Sequence, residues 1–118
     1  MTRAKAGDIV IVDWRGGALP NEPNRLRPAI VVGDETLFAS DYPNILVVPL
    51  TSDVGIAMPS LSVTIDPTPE NGCARRCFAL APFVTSVSTR RVRATESHIR
   101  PDQLGDVRRR IAEAIGLA

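Results

Sequence analysis

Short apolar runs alternate with polar, turn-rich segments along this chain, and this pattern predicts a fold made mostly of strands. Residues 8–14 contain the β-branched run of residues 9–12, which is typical of a buried strand. Five further strands are predicted over residues 28–32, 44–50, 61–65, 77–87 and 90–95. We expect the last two to lie antiparallel and to join near Ser88 and Thr89. Pro82 indicates that the first of these two is bulged or lies at a sheet edge.

Residues 15–26 and 66–76 are rich in Pro, Gly and Asn, and they predict two long loops. The C-terminal segment predicts a helix that begins at Pro101, because proline suits the first helical position. Apolar residues then recur at intervals of three and four, at Leu104, Val107, Ile111 and Ile115. The sequence therefore predicts one α+β domain over residues 1–118. Its antiparallel strands form a small closed or half-closed barrel, and a helix ends the chain.

Composition limits the functions that such a domain would serve. Of the 118 residues, 44% are hydrophobic and 23% are charged, values typical of a globular protein, and the net charge is only +1. Affinity for a nucleic acid would therefore depend on local clusters, such as the seven arginines between Arg90 and Arg110. The chain has 13 arginines and one lysine, a bias that either phosphate recognition or genome composition would explain.

A cytoplasmic location is expected, because no apolar run approaches roughly 20 residues and the N-terminus leads into no signal-like segment. Cys73 and Cys77, with His98 as the single histidine, are too few ligands for a structural zinc site. The two cysteines are expected to be free thiols in a reducing compartment. The alternative is a disulfide within a short loop.

The chemistry is expected at the ends of two apolar runs. Arg27 precedes one run and Thr51 follows another, so the two side chains are predicted to be neighbours at one rim of the barrel. A guanidinium and a hydroxyl in that arrangement suit an anionic oxygen, such as the phosphate of a nucleic acid. Two structural alternatives remain open. Arg27 would form an ion pair that holds the adjacent loop, or the Thr51 hydroxyl would cap a turn at Ser52 and Asp53.

The order of five segments resembles the MazF/PemK family of toxin endoribonucleases from toxin–antitoxin pairs, over about residues 7–117. These segments are Gly7-Asp8-Ile9-Val10, Arg27-Pro28-Ala29-Ile30-Val31-Val32, Pro49-Leu50-Thr51-Ser52, Arg91-Val92 and Ile115-Gly116-Leu117. The resemblance implies an SH3-like barrel of the CcdB/MazF kind, a homodimer, and cleavage of single-stranded RNA without a metal or another cofactor. It also implies products with a 2′,3′-cyclic phosphate and a 5′-hydroxyl. A small MazE-like antitoxin would block the site with an acidic C-terminal segment.

The resemblance assigns roles to three residues. Arg27 and Thr51 match the two principal catalytic positions of the family. Because a guanidinium stays protonated, Arg27 would stabilise negative charge and assist the leaving group, while Thr51 would donate to a non-bridging oxygen. Glu22 matches an acidic residue in the first loop of the family. It would act as the base or orient Arg27, or it is a solvent-exposed carboxylate with neither role.

Six further residues are expected to contact RNA if the resemblance holds: Asn21, Arg25, Ser52, Thr85, Ser86 and Arg91. Arg91 has a structural alternative, an ion pair with Asp8 or Asp13. The chain departs from the family at Pro23 and at residues 82–83, where polar residues are common, so a divergent sequence selectivity is expected. The alternative function is a non-catalytic, CcdB-like toxin or interaction module that binds a protein target. The presence of Arg27 and Thr51 favours the enzyme.

Overall fold

A computed structural model describes residues 4–15 and 26–117 of the chain. The described part contains seven strands and one α-helix: β1 (Asp8–Asp13), β2 (Leu26–Val31), β3 (Asn44–Thr51), β4 (Ser62–Ile65), β5 (Cys77–Leu80), β6 (Thr85–Ser88), β7 (Val92–His98) and α1 (Pro101–Ala114). Two 3-10 turns, Ala81–Phe83 and Thr89–Arg91, flank β6. The predicted α+β class with a C-terminal helix is confirmed.

All strand pairs in the described residues are antiparallel, and the strand order is β4-β5-β3-β2-β1-β7. Strand β6 also pairs with β3, along residues 44–47, while β5 pairs with Leu50 and Thr51 at its other end. No hydrogen-bonded pairing among residues 4–15 and 26–117 joins the outer strands β4 and β7. The sheet is therefore not closed, in agreement with the half-closed alternative.

The prediction of a single strand over residues 77–87, bulged or at a sheet edge because of Pro82, was wrong in making this segment one strand. The 3-10 turn Ala81–Phe83 separates β5 from β6, and Pro82 lies at its start. Proline has no backbone N–H, so it cannot donate to a sheet ladder, and its fixed φ suits the first turn of a helix. The segment still follows β3 along most of its length, with a break in the middle.

The predicted pairing of the last two strands was also wrong. β6 pairs with β3, whereas β7 pairs with β1. The turn Thr89–Arg91 carries the chain between them, and the Ser88 hydroxyl caps it by accepting a hydrogen bond from the Arg90 N–H at 3.2 Å. The Thr89 N–H and hydroxyl both donate to the carbonyl of Pro43, at 2.9 and 3.2 Å. These bonds direct the chain away from a hairpin.

Two apolar clusters lie on opposite faces of β1, β2 and β3, which explains why those strands are nearly continuous apolar runs. One cluster comprises the buried residues Val10, Val12, Ala29, Val31, Ile45, Val47 and Val87. The other comprises Ile9, Ile30, Val32, Val48, Leu50, Ile65, Ala79, Ile99 and Val107. Because both faces are covered, the ends of the strands are the places where polar side chains lie next to the central sheet.

Helix α1 covers the second cluster. Pro101 occupies the first turn as predicted, Val107 is fully buried, and Leu104 and Ile111 pack against the cluster. Ile115 does not continue this face: it follows the helix and is 63% exposed. The helix ends there because Gly116 adopts a φ of +85°, a left-handed conformation typical of helix termination. With 14 residues, α1 is the longest helix in the described part of the chain, and no helix there is long and apolar enough to cross a membrane.

Candidate functional site

The antiparallel arrangement of β2 and β3 places Arg27 and Thr51 at the same end of the sheet. The pairing of β2 with β3 ends at Ala29 and Pro49; Arg27 lies two residues before Ala29, and Thr51 lies two residues after Pro49. Arg27 pairs with Val12 of β1, and Thr51 pairs with Phe78 of β5. The guanidinium and the hydroxyl therefore belong to residues at one end of the central sheet.

An open groove of about 410 Å³ adjoins this pair and is called the rim groove below. Its lining falls into four parts. Apolar residues of the sheet form the floor, namely Ile9, Ile11, Pro28 and Leu50. Arg27, Thr51 and Ser52 form one end. The loop between β4 and β5 contributes a wall with Asn71, Gly72, Cys73, Ala74, Arg75 and Cys77, and β7 contributes Thr95 and Ser97.

Arg27 has a donor that the described residues leave unpaired. Its Nε is buried and has no hydrogen-bond partner among residues 4–15 and 26–117. Buried polar atoms are nearly always paired, so an unpaired nitrogen in a residue that lines the rim groove is unusual and is consistent with a site for a ligand. No ion pair of Arg27 is found within the described residues either. Glu22 lies outside them, so the predicted ion pair with the loop stays an alternative.

Thr51 is 6% exposed, and its Oγ1 accepts a hydrogen bond from the Asp53 N–H at 3.1 Å. This bond is the turn-capping role given above as the structural alternative. A hydroxyl has one donor as well as its acceptor positions, so the Thr51 proton is still available to an anionic oxygen. The bond from the Asp53 N–H holds the Thr51 oxygen in place, and the Thr51 hydroxyl can still donate its proton to a ligand.

Two of the predicted RNA-contact residues lie at the same end of the sheet as Arg27 and Thr51. Ser52 is exposed and lines the rim groove. Arg91 lies at the same end of the sheet, where its Nη1 donates to the backbone carbonyl of Asp13 at 3.2 Å. The Asp13 carboxylate instead binds the Arg15 guanidinium at 3.0 and 2.9 Å, and these bonds lower the pKa of Asp13 to about 2. Arg91 therefore contacts Asp13, through the main chain and not through the predicted carboxylate pair.

Thr85 and Ser86 do not line the rim groove. They pair with Val47 and Leu46 of β3, which precede Thr51 by four and five residues. At about 3.3 Å per residue, that places them roughly 13–17 Å from Thr51 along the strand. The Ser86 hydroxyl accepts a hydrogen bond from the Asn44 side chain at 3.0 Å. Asn21, Glu22 and Arg25 lie outside the described residues.

Comparison with known proteins identifies the family. The profile described as "PemK-like, MazF-like toxin of type II toxin-antitoxin system" matches residues 5–115. The chain belongs to this toxin family. Comparison with curated protein sequences gave no match.

Solved structures of the family share the fold. MazF from Deinococcus radiodurans is similar with a TM-score of 0.77 and 23% identity, over 96% of each chain. The Mycobacterium tuberculosis toxin MazF-mt6 has a TM-score of 0.74 and 16% identity, over 94% of this chain and 98% of that one. A mycobacterial endoribonuclease, solved in complex with its cognate antitoxin, has a TM-score of 0.74 and 14% identity over 98% of each chain. The resemblance to the MazF/PemK family is thus confirmed.

Sequence reasoning missed the wall of the rim groove in this family member. Asn71 is 3% exposed, and its Oδ1 accepts hydrogen bonds from the N–H groups of Thr68 and Cys73 at 3.0 and 2.9 Å. Its Nδ2 donates to the carbonyl of Asp66 at 2.9 Å. An Asn-Gly pair at residues 71–72 within a predicted loop was the available signal, since Asn side chains commonly bond nearby backbone in turns.

The β7 side of the groove was missed as well. Between the pairs Asp8–His98 and Val10–Ala94, β7 contains two extra residues, which is a β-bulge. Thr95 and Ser97 lie in this bulge and line the rim groove. The Thr95 hydroxyl donates to the carbonyl of Ile9 and accepts from the Ser97 N–H. Bulges reorient side chains next to sites, but no local sequence signal identified this one.

Cys73 and Cys77 are free thiols, as the first of the two alternatives predicted. Burial, followed by the nearby Cys77 thiol, raises the pKa of Cys73 to about 11. The thiolate is the nucleophilic form of cysteine, so Cys73 is a protonated, unreactive thiol at neutral pH. Although both cysteines line the rim groove, Cys73 is a wall residue and not a nucleophile.

Proposed function

We propose that this toxin is an endoribonuclease that cleaves single-stranded RNA sequence-selectively, without a metal ion, as one domain over residues 1–118. The family membership and the similarity to a mycobacterial endoribonuclease support this activity. The observation that carries it is that Arg27 and Thr51 line the same open groove at one end of the sheet, with an Arg27 Nε that lacks a partner in the described residues. A scissile phosphate held there would receive two kinds of donor.

In the proposed reaction, the ribose 2′-oxygen attacks the adjacent phosphorus and loses its proton to a base. The bond from phosphorus to the 5′-oxygen then breaks, and that oxygen takes up a proton. The products are a 2′,3′-cyclic phosphate and a 5′-hydroxyl. Negative charge grows on the non-bridging oxygens in the transition state, where the Arg27 fork and the Thr51 hydroxyl would stabilise it.

The base is proposed to come from outside the described residues. None of the described residues that line the rim groove is Asp, Glu or His. Arg27 itself stays protonated and cannot accept the 2′-proton. Glu22 is therefore the proposed base. The alternative is that Glu22 orients Arg27, and a water molecule accepts the 2′-proton.

RNA contacts are proposed at two distances from the scissile phosphate. Asn21, Arg25 and Ser52 would contact the adjoining nucleotides, because Ser52 lines the rim groove beside Thr51. Arg91, at the same end of the sheet, would also contact a nearby nucleotide, and more distant nucleotides would reach Thr85 and Ser86. We further propose a homodimer in the cytoplasm and a cognate antitoxin whose acidic segment occupies the same groove. Its carboxylates would compete with phosphates for the same arginines.

Incubation of the purified protein with single-stranded RNA in excess EDTA tests this function. We expect cleavage at a restricted set of sequences, with 5′ ends that a polynucleotide kinase can phosphorylate directly. An RNA with 2′-deoxyribose at the cleaved position should stay intact, because it lacks the attacking oxygen. Cleavage that requires added metal, or products with 5′-phosphates, would contradict the proposed reaction.

A further inference from the structure

Arg75 is an exposed cation on the wall of the rim groove. Neither a hydrogen bond nor an ion pair among the described residues involves its guanidinium; only its backbone carbonyl is used, by the Cys77 thiol. By contrast, every described arginine whose side chain makes a hydrogen bond or ion pair binds a carboxylate or a backbone oxygen of the chain. The described residues therefore leave all five guanidinium N–H donors of Arg75 to a ligand in the groove.

The next residue provides the contrast. Arg76 is equally exposed to solvent in the loop, but its Nε binds the Asp66 carboxylate at 2.7 Å, and it does not line the rim groove. The two adjacent arginines thus differ in the one property that matters for an anionic ligand. The charge of Arg76 is compensated by Asp66, whereas no described residue compensates the charge of Arg75.

The loop that carries Arg75 is fixed on both sides. Before it, the buried Asn71 side chain binds the backbone of Thr68, Cys73 and Asp66. After it, β5 begins at Cys77, whereas the solvent-exposed ion pair of Arg76 with Asp66 contributes little to the order of the loop. A cation on an ordered backbone loses less entropy on binding than one on a loop that must first become ordered. The position of Arg75 is therefore suited to recognition of an anion.

The groove indicates which anion this is. Its floor is apolar, and no carboxylate of the described residues lines it. An apolar floor can pack against a ribose or a base, and a flanking guanidinium can bind the phosphate that follows it along the strand. We propose that Arg75 binds a backbone phosphate adjacent to the scissile one, which makes the wall of the rim groove part of the RNA-binding surface. This inference rests on the proposed endoribonuclease function.

Because Arg75 would contact the strand and not the reacting atoms, its loss should weaken RNA binding more than it slows cleavage. A phosphate contact also contributes to the salt dependence of binding, with a slope of about 0.7 per contact for single strands. It carries no sequence information, so the loss should be similar for different RNA sequences.

The test compares Arg75→Ala with Arg76→Ala, which remove the same charge from adjacent positions. The probe is a single-stranded RNA with 2′-deoxyribose at the cleaved position, and its dissociation constant is measured at several salt concentrations. We expect Arg75→Ala to raise the dissociation constant roughly 5–20-fold and to lower the salt slope by about 0.7. Arg76→Ala should change the dissociation constant by less than about twofold and should leave the salt slope nearly unchanged. Arg75→Lys should restore most of the slope, because it keeps the charge.

The outcomes separate the inference from the function on which it rests. If the parent cuts RNA but the two alanine variants bind it equally well, the assignment of Arg75 is overturned and the endoribonuclease stands. If Arg75→Ala weakens only the antitoxin complex, the residue belongs to a protein interface, and the assignment is again overturned. If the parent neither binds nor cuts RNA in any sequence tested, both proposals fail.

Discussion

Replacing Arg27 by alanine is expected to lower the single-turnover rate of RNA cleavage roughly 10²–10³-fold, the loss typical of removing one preorganised donor from a developing oxyanion. The physical reason is that Arg27 lines the rim groove together with Thr51, and its Nε has no partner among the described residues. Arg27→Lys should recover only part of the rate, because an ammonium keeps the charge but not the planar fork. The rate is measured with enzyme in excess over a radiolabelled RNA.

The matched control for this prediction is Arg109→Ala. Arg109 lies on α1, and its guanidinium binds the Asp106 carboxylate at 2.7 Å. The Arg109 side chain does not line the rim groove. We expect its rate to stay within about twofold of the parent, since it removes the same charge from a surface site. Circular dichroism and thermal melting should show that both variants are folded. Equal rates for Arg27→Ala and Arg109→Ala would contradict the catalytic role of Arg27.

Replacing Asn71 by alanine is expected to lower the free energy of unfolding by about 2–4 kcal/mol. The Asn71 side chain is the partner of three backbone groups, the N–H of Thr68 and of Cys73 and the carbonyl of Asp66, in a position that is 3% exposed. Leaving buried backbone groups unpaired costs about 1–3 kcal/mol each, and partial access of water would reduce the sum. Urea unfolding should show a lower midpoint with an unchanged slope.

Asp34→Ala is the control for Asn71. The Asp34 carboxylate also accepts hydrogen bonds from its own loop, from the N–H and the hydroxyl of Thr36 at 2.9 and 2.7 Å. Unlike Asn71, it is exposed, so water can replace it as a partner. We expect a much smaller change in the urea midpoint. Equal changes in the two variants would show that the bonds of Asn71 do not hold the wall of the groove.

The parts of the fold that the sequence predicted are those with a local pattern. Residues 9–12 and 45–48 are apolar on both faces, because one cluster packs on each side of the sheet, and such runs read as strands. Pro101 and the spacing of the apolar residues up to Ile111 also defined the helix, because only one of its faces packs against the second cluster. The placement of Arg27 and Thr51 at one end of the sheet also followed from the ends of two such runs, since the start of one strand lies beside the end of its antiparallel neighbour. Their catalytic roles stay a prediction.

What the sequence did not predict depends on contacts between distant residues. The bonds of Thr89 to Pro43 direct the chain from β6 to β7, and residues 46 positions apart cannot be paired from a local pattern. The same holds for the bulge that brings Thr95 to the carbonyl of Ile9. The wall of the groove was overlooked because Asn71 and Arg75 lie in a loop whose composition indicated only a turn-rich connection.

The central claim is that Arg27 and Thr51 act on the same phosphodiester. A double-mutant cycle tests it most directly, with single-turnover cleavage rates of the parent, Arg27→Ala, Thr51→Val and the double variant. For residues that act on one group, the double variant should depart from the product of the two single losses by about fivefold or more. Losses that simply multiply, as they do for distant and independent sites, would contradict the claim.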